Sequence, residues 1–278
     1  GRHIPAILIS AIFRGEQVFF RWYGKIFREL LGTFEHIFVQ DDGSRQLLER
    51  LGIRQVSVSG DTRFDRVAAV AARAAGFPDI EKFTGKDKVW IAGSTWPGDE
   101  KILAEYFWQE GELIQMIIVP HEINEAHLRQ IEHLFEGAAI RYSRLSDTDI
   151  ITVAAMQVLI IDNVGMLASL YRYGFAAYIG GGFQRDGIHN ILEAAVYGLP
   201  VFFGPNYGKF REAGELIARG AAFPVNSADE LKERTKALQP AAALESAAKA
   251  AKNYVMQNTG ATEKVLHYIA EKRFFTML

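Results

Sequence analysis

Short apolar runs separated by helical patterns constrain the fold of this sequence more than any other feature. Between residues 88 and 225 the runs lie at 88–93, 115–119, 139–143, 157–161, 176–180, 200–204 and 221–225. Helical patterns lie between and after them, at 99–108, 123–136, 165–173, 188–198, 209–219 and 227–238. The runs are apolar at nearly every position, as strands are when helices cover both faces of a sheet. The alternation therefore predicts a parallel, doubly wound α/β sheet.

The first 60 residues repeat this alternation in a shorter form. Strands are predicted at 4–11, 36–40 and 55–60, with helices at 16–31 and 43–51. Three strands and two helices are too few for a complete doubly wound domain, so we expect the trailing half of one. Because a buried-strand pattern begins within the first few residues, we also expect the 278 residues to be a fragment.

The alternation of predicted strands and helices is interrupted between the two regions, around Gly76-Phe77-Pro78 and again at 85–88. The predicted division is a partial N-terminal domain over 1–62, a linker over 63–87 and a second domain over 88–260. A terminal helix over 261–278 is expected to pack back on the first domain. The predicted fold class is therefore α/β, with two Rossmann-like parallel-sheet domains of which the first is incomplete.

The composition excludes several classes of protein. With 31 basic and 33 acidic residues the net charge is −2, which argues against a general nucleic-acid binder. The chain has no cysteine, so disulfides, thiolate metal sites and cysteine nucleophiles are excluded, and a reducing cytosol is compatible with it. No apolar run reaches 18 residues, so no transmembrane helix is expected.

The most informative motif follows the apolar run at 176–180. Three glycines, Gly180 to Gly182, let the backbone approach a ligand closely. A helix is predicted to open near Ile188, with His189 and Asn190 at its start, and its free N–H groups would favour a phosphate. Glu193 would then accept hydrogen bonds from ribose hydroxyls. The alternative is a tight turn followed by a helix that only packs.

Two other strand ends carry candidate ligand-binding residues. Ser94 and Thr95 would hold a phosphate or sugar, or alternatively cap the following helix. Pro120 and His121 end the next strand, where His121 would face a nucleotide or serve a structural role. A metal site is not expected, because the histidines at 121, 127 and 133 spread around a helix and no His-Glu-x-x-His pattern occurs.

A basic, aromatic stretch occupies residues 13–28. It contains four basic residues, one acidic residue and six aromatic residues. Such a helix can lie on a membrane surface, with basic groups on lipid phosphates and rings at the interface. The alternative is a half-buried helix with a solvated charged face. The residues predicted to contact a membrane or an acceptor are Arg14, Arg21, Trp22, Lys25 and Arg28.

Taken in order, these motifs resemble the transferases of 3-deoxy-D-manno-octulosonate (Kdo), glycosyltransferases of the GT-B class. Ser59 to Asp65 is similar to the family's Gly-Asn-x-Lys-Phe-Asp segment, and Ala92 to Thr95 to its Ala-Ser-Thr loop. The glycine loop with Gly187 to Glu193 is similar to its Gly-Gly-Ser…Gly-Gly-His-Asn-Pro-Leu-Glu signature. Phe203 to Phe210 is similar to its Phe-Gly-Pro-His-x-x-Asn-Phe segment.

The sequence departs from the family pattern at three of these places. Pro120-His121-Glu122 stands where the family has Pro-Arg-His, Arg63 replaces a lysine, and Ile191 replaces a proline. The resemblance implies that Arg63 approaches the carboxylate of the donor. It also implies a glutamate base in a preceding half domain, and no residue here matches that glutamate.

The resemblance implies that the chain moves Kdo from CMP-Kdo to a lipid A precursor with inversion, in Gram-negative lipopolysaccharide synthesis. It further implies a peripheral location on the cytoplasmic face of the inner membrane, no metal or other cofactor, and inactivity of these residues alone. Two alternatives remain: a GT-B transferase or epimerase that uses a UDP-sugar, and a non-catalytic nucleotide-binding module.

Overall fold

The computed structural model describes residues 4–84, 88–111, 114–145, 148, 153 and 155–274. Its contacts divide the chain into two compact units. Unit 1 comprises Gly1–Ala68 and Met256–Leu278, and unit 2 comprises Ala69–Val255. Among the described residues, no helix has the length and apolarity needed to cross a membrane.

Unit 1 is built on a three-stranded parallel sheet. Its strands are β1 (Ile7–Ala11), β2 (His36–Val39) and β3 (Val56–Val58), in the spatial order β1-β2-β3. The helices are α1 (Lys25–Leu31), α2 (Asp42–Arg50), the first half of α3 (Thr62–Arg73) and, at the C-terminus, α12 (Ala261–Glu271). The apolar core consists of Phe13, Leu31, Ile37, Val39, Leu48 and Ile53.

The C-terminal helix is fixed to this sheet by its first and last turns. The Asp65 carboxylate accepts the backbone N–H groups of Gly260 at 2.5 Å and Thr262 at 2.7 Å, at the start of α12. Near the other end, the rings of Tyr268 and His36 lie 4.5 Å apart. The chain enters the helix through Gly260 at φ +103°, a left-handed conformation that glycine adopts without strain.

The helix predicted over residues 16–31 is wrong. The structure has a short 3₁₀ turn at Val18–Phe20 and then α1, which begins only at Lys25. Gly24 lies between them, and a Cβ there would collide with the backbone oxygen of Val18. The tight approach of these two segments, which a continuous helix does not allow, breaks the helical pattern.

Unit 2 contains seven parallel strands in the order β10-β9-β8-β4-β5-β7-β6. The strands are β4 (Val89–Thr95), β5 (Gln115–Pro120), β6 (Ala139–Arg141), β7 (Val158–Ile160), β8 (Ala176–Ile179), β9 (Val201–Phe203) and β10 (Ala222–Pro224). The described helices are α4 (Pro78–Phe83), α5 (Pro97–Glu110), α6 (Glu125–Leu134), α7 (Leu167–Leu170), α8 (Leu192–Ala195), α9 (Arg211–Ala218), α10 (Ala228–Ala237) and α11 (Ala241–Gln257). The predicted α/β class with two parallel sheets is confirmed.

The core of unit 2 explains why the sequences of its strands are apolar at nearly every position. Trp90, Tyr106, Tyr178 and Phe202 are fully buried and belong to one apolar cluster. Each strand contributes residues to both faces of the sheet, so alternate positions cannot be polar.

Two predicted boundaries differ from the structure. The helix expected to open near Ile188 begins only at Leu192 and is a single turn, α8. The range 63–87, predicted to be a linker, contains most of α3 and all of α4 in its described part, and residues 85–87 lie outside the described residues. The unit boundary at Ala68 lies inside α3.

Candidate functional site

The chain reverses its direction of winding at β4, and the candidate site lies there. From β4 the chain passes to β5 on one side of the sheet, whereas β8 pairs with the other side of β4. Ligands of such sheets bind outside the carboxyl ends of the strands at this reversal point. The predicted residues that follow β4, β5 and β8 therefore share one edge of the sheet.

Gly180 allows the loop after β8 to touch the last residues of β4. Its N–H donates to the Gly93 carbonyl at 2.9 Å, and a Cβ at Gly180 would collide with the backbone of Ser94 and Thr95. Ser94 itself has φ +54°, a left-handed conformation that is costly for a residue with a side chain. The end of β4 and the loop after β8 are thus held in close backbone contact at the reversal point.

The rest of the glycine loop folds against neighbouring backbone. Gly181 has φ +90°, and the N–H of His189 donates to the Gly180 carbonyl at 3.1 Å. Gly182 packs against Gly204, after β9, so closely that a Cβ would collide with its backbone. Each of the three glycines is required by close packing or by its backbone conformation.

Asp99, in the first turn of α5, holds this loop in place. Its Oδ2 accepts the N–H of Gly181 at 2.9 Å and that of Trp96 at 3.0 Å, and its Oδ1 accepts the Tyr178 hydroxyl at 3.1 Å. Burial raises the pKa of Asp99 to about 6, although the three hydrogen bonds oppose the shift. Asp99 was not among the predicted site residues. The feature that could have indicated it is an acidic residue in the first turn of a helix that starts with proline.

Thr95, predicted to hold a phosphate or sugar, turns its hydroxyl into the protein. The fully buried Thr95 Oγ1 donates to Glu100 Oε1 at 2.9 Å. The other Glu100 oxygen lies 2.9 Å from His127 Nε2, while His127 Nδ1 lies 2.9 Å from the Glu122 carbonyl. Burial lowers the pKa of His127, but the bonds to Glu100 and Glu122 outweigh it and raise the pKa. The proton of the Thr95 hydroxyl is therefore already engaged.

Three flat side chains stack at the edge of the site. The centroid of the His121 ring lies 4.8 Å from that of Trp96 and 4.5 Å from that of His189, and both pairs of rings are stacked within 28° of parallel. The Trp96 indole N–H donates to His189 Nε2 at 3.2 Å, so this nitrogen has no proton and Nδ1 carries it. Burial, followed by the charge on His121, lowers the pKa of His189. His121 is exposed.

Asn190 and Glu193 are joined at the start of α8. Asn190 Nδ2 donates to Glu193 Oε1 at 3.1 Å, and Asn190 Oδ1 accepts the N–H of Leu192 at 3.2 Å. Pro120 ends β5 in register with Thr95 of β4. The structure therefore brings most of the predicted donor-binding residues to one edge of the sheet of unit 2.

Arg63 does not belong to that edge, because it lies in unit 1. It follows the start of α3 and forms an ion pair with Asp61, with Nη2 and Oδ2 2.8 Å apart. Its predicted role toward the donor remains a prediction.

The basic, aromatic stretch is split between core and surface. Phe13 packs in the core of unit 1, whereas Trp22 is 90% exposed. Arg14, Arg21 and Lys25 are exposed, and Arg28 Nη1 donates to the carbonyls of Phe19 and Arg21. Further exposed apolar residues follow at Tyr23, Ile26, Phe27 and Leu30.

Among the described residues, no group of three or more histidine, aspartate or glutamate side chains is arranged to hold a metal ion.

Comparisons with known proteins relate both units to one family. A family model described as 3-deoxy-D-manno-octulosonic-acid transferase (kdotransferase) matches residues 1–66. The 3-deoxy-D-manno-octulosonic acid transferase of Bordetella pertussis is 27% identical over 281 residues, covering 95% of this chain. This chain is similar in sequence to the Kdo transferases. The same transferase of Aquifex aeolicus is 25% identical over 232 residues, or 82% of the chain.

The chain spans only part of these relatives. It covers 63% of the Bordetella protein, 58% of the Aquifex protein and 32% of a bifunctional glycosyltransferase/methyltransferase from Fusobacterium nucleatum. The last is 26% identical over 216 residues, or 74% of this chain.

Solved structures agree on the fold. The C-terminal CMP-Kdo binding domain of WaaA from Acinetobacter baumannii covers 69% of this chain and 99% of its own, at 22% identity and a TM-score of 0.54. The UDP-GlcNAc 2-epimerase of Neisseria meningitidis covers 96% of this chain and 69% of its own, at 19% identity and a TM-score of 0.62. The GT-B-type α/β fold implied by the resemblance is thus confirmed.

Proposed function

We propose that this chain forms the donor-binding part of a Kdo transferase and binds CMP-Kdo at the carboxyl edge of β4, β5 and β8. The observation that carries the proposal is the convergence of Ser94, His121, Gly180 and His189. These residues are spread over about a third of the sequence, yet they meet at the reversal point of one sheet. The family relationship supplies the identity of the ligand.

The hydrogen bonds within the glycine loop determine which of its three backbone N–H groups can contact a phosphate. The N–H of Gly180 is bound by Gly93 and that of Gly181 by Asp99. Gly182 donates its N–H to no described residue, so we assign the phosphate contact to this amide. Ser94 would add its hydroxyl. Thr95 would act through its backbone, because its side-chain proton is engaged by Glu100.

The remaining residues of the site would hold the nucleoside. We assign Glu193 to the ribose, because a carboxylate can accept hydrogen bonds from two neighbouring hydroxyls. Its bond to Asn190 would orient it for this role. Exposed His121, whose ring stacks on Trp96 and His189, would contact the nucleotide beside Pro120.

The proposed reaction is a transfer with inversion. An acceptor hydroxyl attacks the anomeric carbon of Kdo, the bond to the CMP phosphate oxygen breaks, and CMP leaves with that electron pair. A general base takes the hydroxyl proton. We assign no residue of this chain to the base, and we therefore expect residues 1–278 alone to be inactive. No metal is assigned a role.

The proposed acceptor is a lipid A precursor at the cytoplasmic face of the inner membrane. The exposed Trp22 beside Arg14, Arg21 and Lys25 supports contact with an anionic lipid surface, because rings and basic groups favour such interfaces. Arg28 is predicted to take part as well, although its guanidinium also binds backbone carbonyls within the stretch.

Calorimetric titration of the chain with CMP, CMP-Kdo and UDP tests the donor assignment. We expect CMP and CMP-Kdo to bind more tightly than UDP. Glu193→Ala is expected to weaken CMP binding about tenfold, the loss of a charge-assisted hydrogen bond. The matched control is Glu245→Ala, which removes an exposed carboxylate from α11 and should leave the affinity unchanged. Unchanged affinity in Glu193→Ala would reject the ribose contact.

The same titration addresses the alternatives. Preference for UDP would favour a UDP-sugar transferase or epimerase over a Kdo transferase. Two transfer assays would test whether the general base is missing from these residues. One uses the chain alone, and the other adds a full-length relative whose donor site has been inactivated. Robust transfer by residues 1–278 alone would contradict that part of the proposal. CMP binding without transfer in either assay would favour a nucleotide-binding module.

A further inference from the structure

A second concave site lies at the opposite edge of the sheet of unit 2. A cavity of about 190 Å³ opens between the last turns of α5, the start of β4 and helix α10. Its lining residues are Lys88, Tyr106, Glu110, Ile114, Lys232, Thr235, Lys236 and Gln239. Lys88 immediately precedes β4, so the cavity lies at the amino edge of the strands, away from the proposed donor site at their carboxyl edge.

The charges that line this cavity are unbalanced. Three lysines face one carboxylate, Glu110, and only Lys232 is paired with it, with Nζ and Oε1 3.1 Å apart. Lys232 also donates to the Gln109 carbonyl at 3.3 Å. Lys88 and Lys236 form no ion pair with any other residue in the described part of the chain. The lining therefore carries two surplus positive charges.

Tyr106 forms part of the cavity wall and is unusual in its hydrogen bonding. Its side chain is fully buried, and its hydroxyl meets the geometry of a hydrogen bond with no described residue. The Thr235 hydroxyl and the Trp90 indole N–H lie close to it, but the Thr235 hydroxyl donates to the Leu231 carbonyl at 2.7 Å. The buried Trp90 N–H likewise meets the geometry of a hydrogen bond with no described residue. A buried hydroxyl without a partner costs free energy, and a ligand oxygen in the cavity would remove that cost.

We propose that this cavity binds a small phosphate-bearing anion. Phosphate carries about −1.5 to −2 charges at neutral pH, which matches the two surplus lysine charges. Lysine ammonium groups are common phosphate ligands. Thr235, Gln239 and the Tyr106 hydroxyl supply uncharged polar groups around the same space. The cavity is smaller than the pockets that hold drug-sized ligands, about 300 Å³ or more, so the ligand is the size of phosphate or a short phosphate ester.

Titration of the full chain with inorganic phosphate tests the proposal, at constant ionic strength maintained with chloride. Saturable shifts of the backbone amide signals of Thr235 and Gln239 in NMR spectra are expected. The double variant Lys88→Gln/Lys236→Gln should weaken binding about tenfold or more. Lys249→Gln removes an exposed lysine of α11 and is the matched control, with unchanged affinity expected.

Tyr106→Phe measures the contribution of the hydroxyl to phosphate binding independently of the lysines, because it removes only the hydroxyl and keeps the buried ring. A several-fold loss of phosphate affinity with unchanged folding is expected. Glycerol 3-phosphate as a second probe distinguishes a phosphate ester from free phosphate, and binding of either one supports the site. Absence of saturable shifts with both probes, equal weakening in Lys249→Gln, or displacement of phosphate by CMP would overturn the proposal.

Discussion

Asp99 Oδ2 accepts the backbone N–H of Gly181 at 2.9 Å and so ties the glycine loop after β8 to the first turn of α5. The carboxylate is fully buried and also accepts from Trp96 and Tyr178. It touches no proposed ligand atom, but it fixes the loop that we assign to the donor phosphate. Asp99 is therefore a positioning residue.

Removal of this carboxylate is expected to affect stability and nucleotide binding together. Asp99→Ala leaves two buried N–H groups without acceptors, and the free energy of unfolding should fall by about 3 kcal/mol. Chemical denaturation measures the loss, and calorimetry with CMP measures the affinity. Asp99→Asn keeps an oxygen acceptor and should retain most of both. Equal stability of Asp99→Ala and the unmodified chain would contradict this role.

The raised pKa of Asp99 predicts a dependence of stability on pH. Its pKa rises from 3.8 in the unfolded chain to about 6 in the folded state, so the folded state binds the proton more tightly. This contribution to stability is fully present below pH 3.8 and is lost as the pH rises through about 6.

In Asp99→Asn that contribution is absent. The difference in unfolding free energy between the unmodified chain and Asp99→Asn should change by about 2–3 kcal/mol between pH 3.8 and 7. Taking the difference cancels the titration of other groups such as His189. A difference that does not change with pH would show that Asp99 has an ordinary pKa.

Trp96 forms a hydrogen bond to the ring of His189. Its indole N–H donates to His189 Nε2, which favours the neutral ring, so Trp96→Phe should raise the pKa of His189. NMR titration of the histidine ring signals measures the change. His133 and His267, on exposed faces of α6 and α12, are internal controls whose ring signals at a fixed pH should be the same in both chains. An unaltered His189 titration in Trp96→Phe would argue against the hydrogen bond.

The glycine loop offers a matched pair of substitutions. In Gly182→Ala the new Cβ collides with the backbone of Gly204, which cannot move aside cheaply, so a loss of about 1–3 kcal/mol in unfolding free energy is expected. Gly214 lies inside α9 with open space around its Cβ position. Gly214→Ala should therefore raise stability by about 0.5–1 kcal/mol. Similar effects of the two substitutions would rule out the tight contact at Gly182.

The exposed surface of unit 1 predicts binding to anionic vesicles. Trp22→Ala removes the most exposed of its rings, and the partition coefficient measured by vesicle sedimentation should fall about tenfold. Leu30→Ala and Leu266→Ala form a matched pair, because both leucines are helical and 57% exposed. Only Leu30 adjoins the basic, aromatic stretch, two residues after Arg28, so only its substitution should weaken binding. Equal effects of the two would argue against this surface.

The strands were predictable because their signal is local. Strand β8 is apolar along its whole length and β4 is apolar up to its last two residues, since both faces of the sheet are covered. This pattern can be recognised without knowledge of the neighbouring strands. The helix ends were less predictable. The single turn of α8 starts at Leu192 because the N–H groups of Ile188 and His189 instead donate to the carbonyls of Asn206 and Gly180.

The sequence alone determined the class of fold, the strand order along the chain and the position of the glycine loop, because these depend on periodicity and on residues without a Cβ. Only the tertiary structure decided which side chains act together. It turned Thr95 inward to Glu100 and placed Asp99 beneath Gly181. It also stacked His121 on His189. These pairings depend on which strand lies beside β4. Contacts between residues up to 93 positions apart in the sequence cannot be deduced from their spacing.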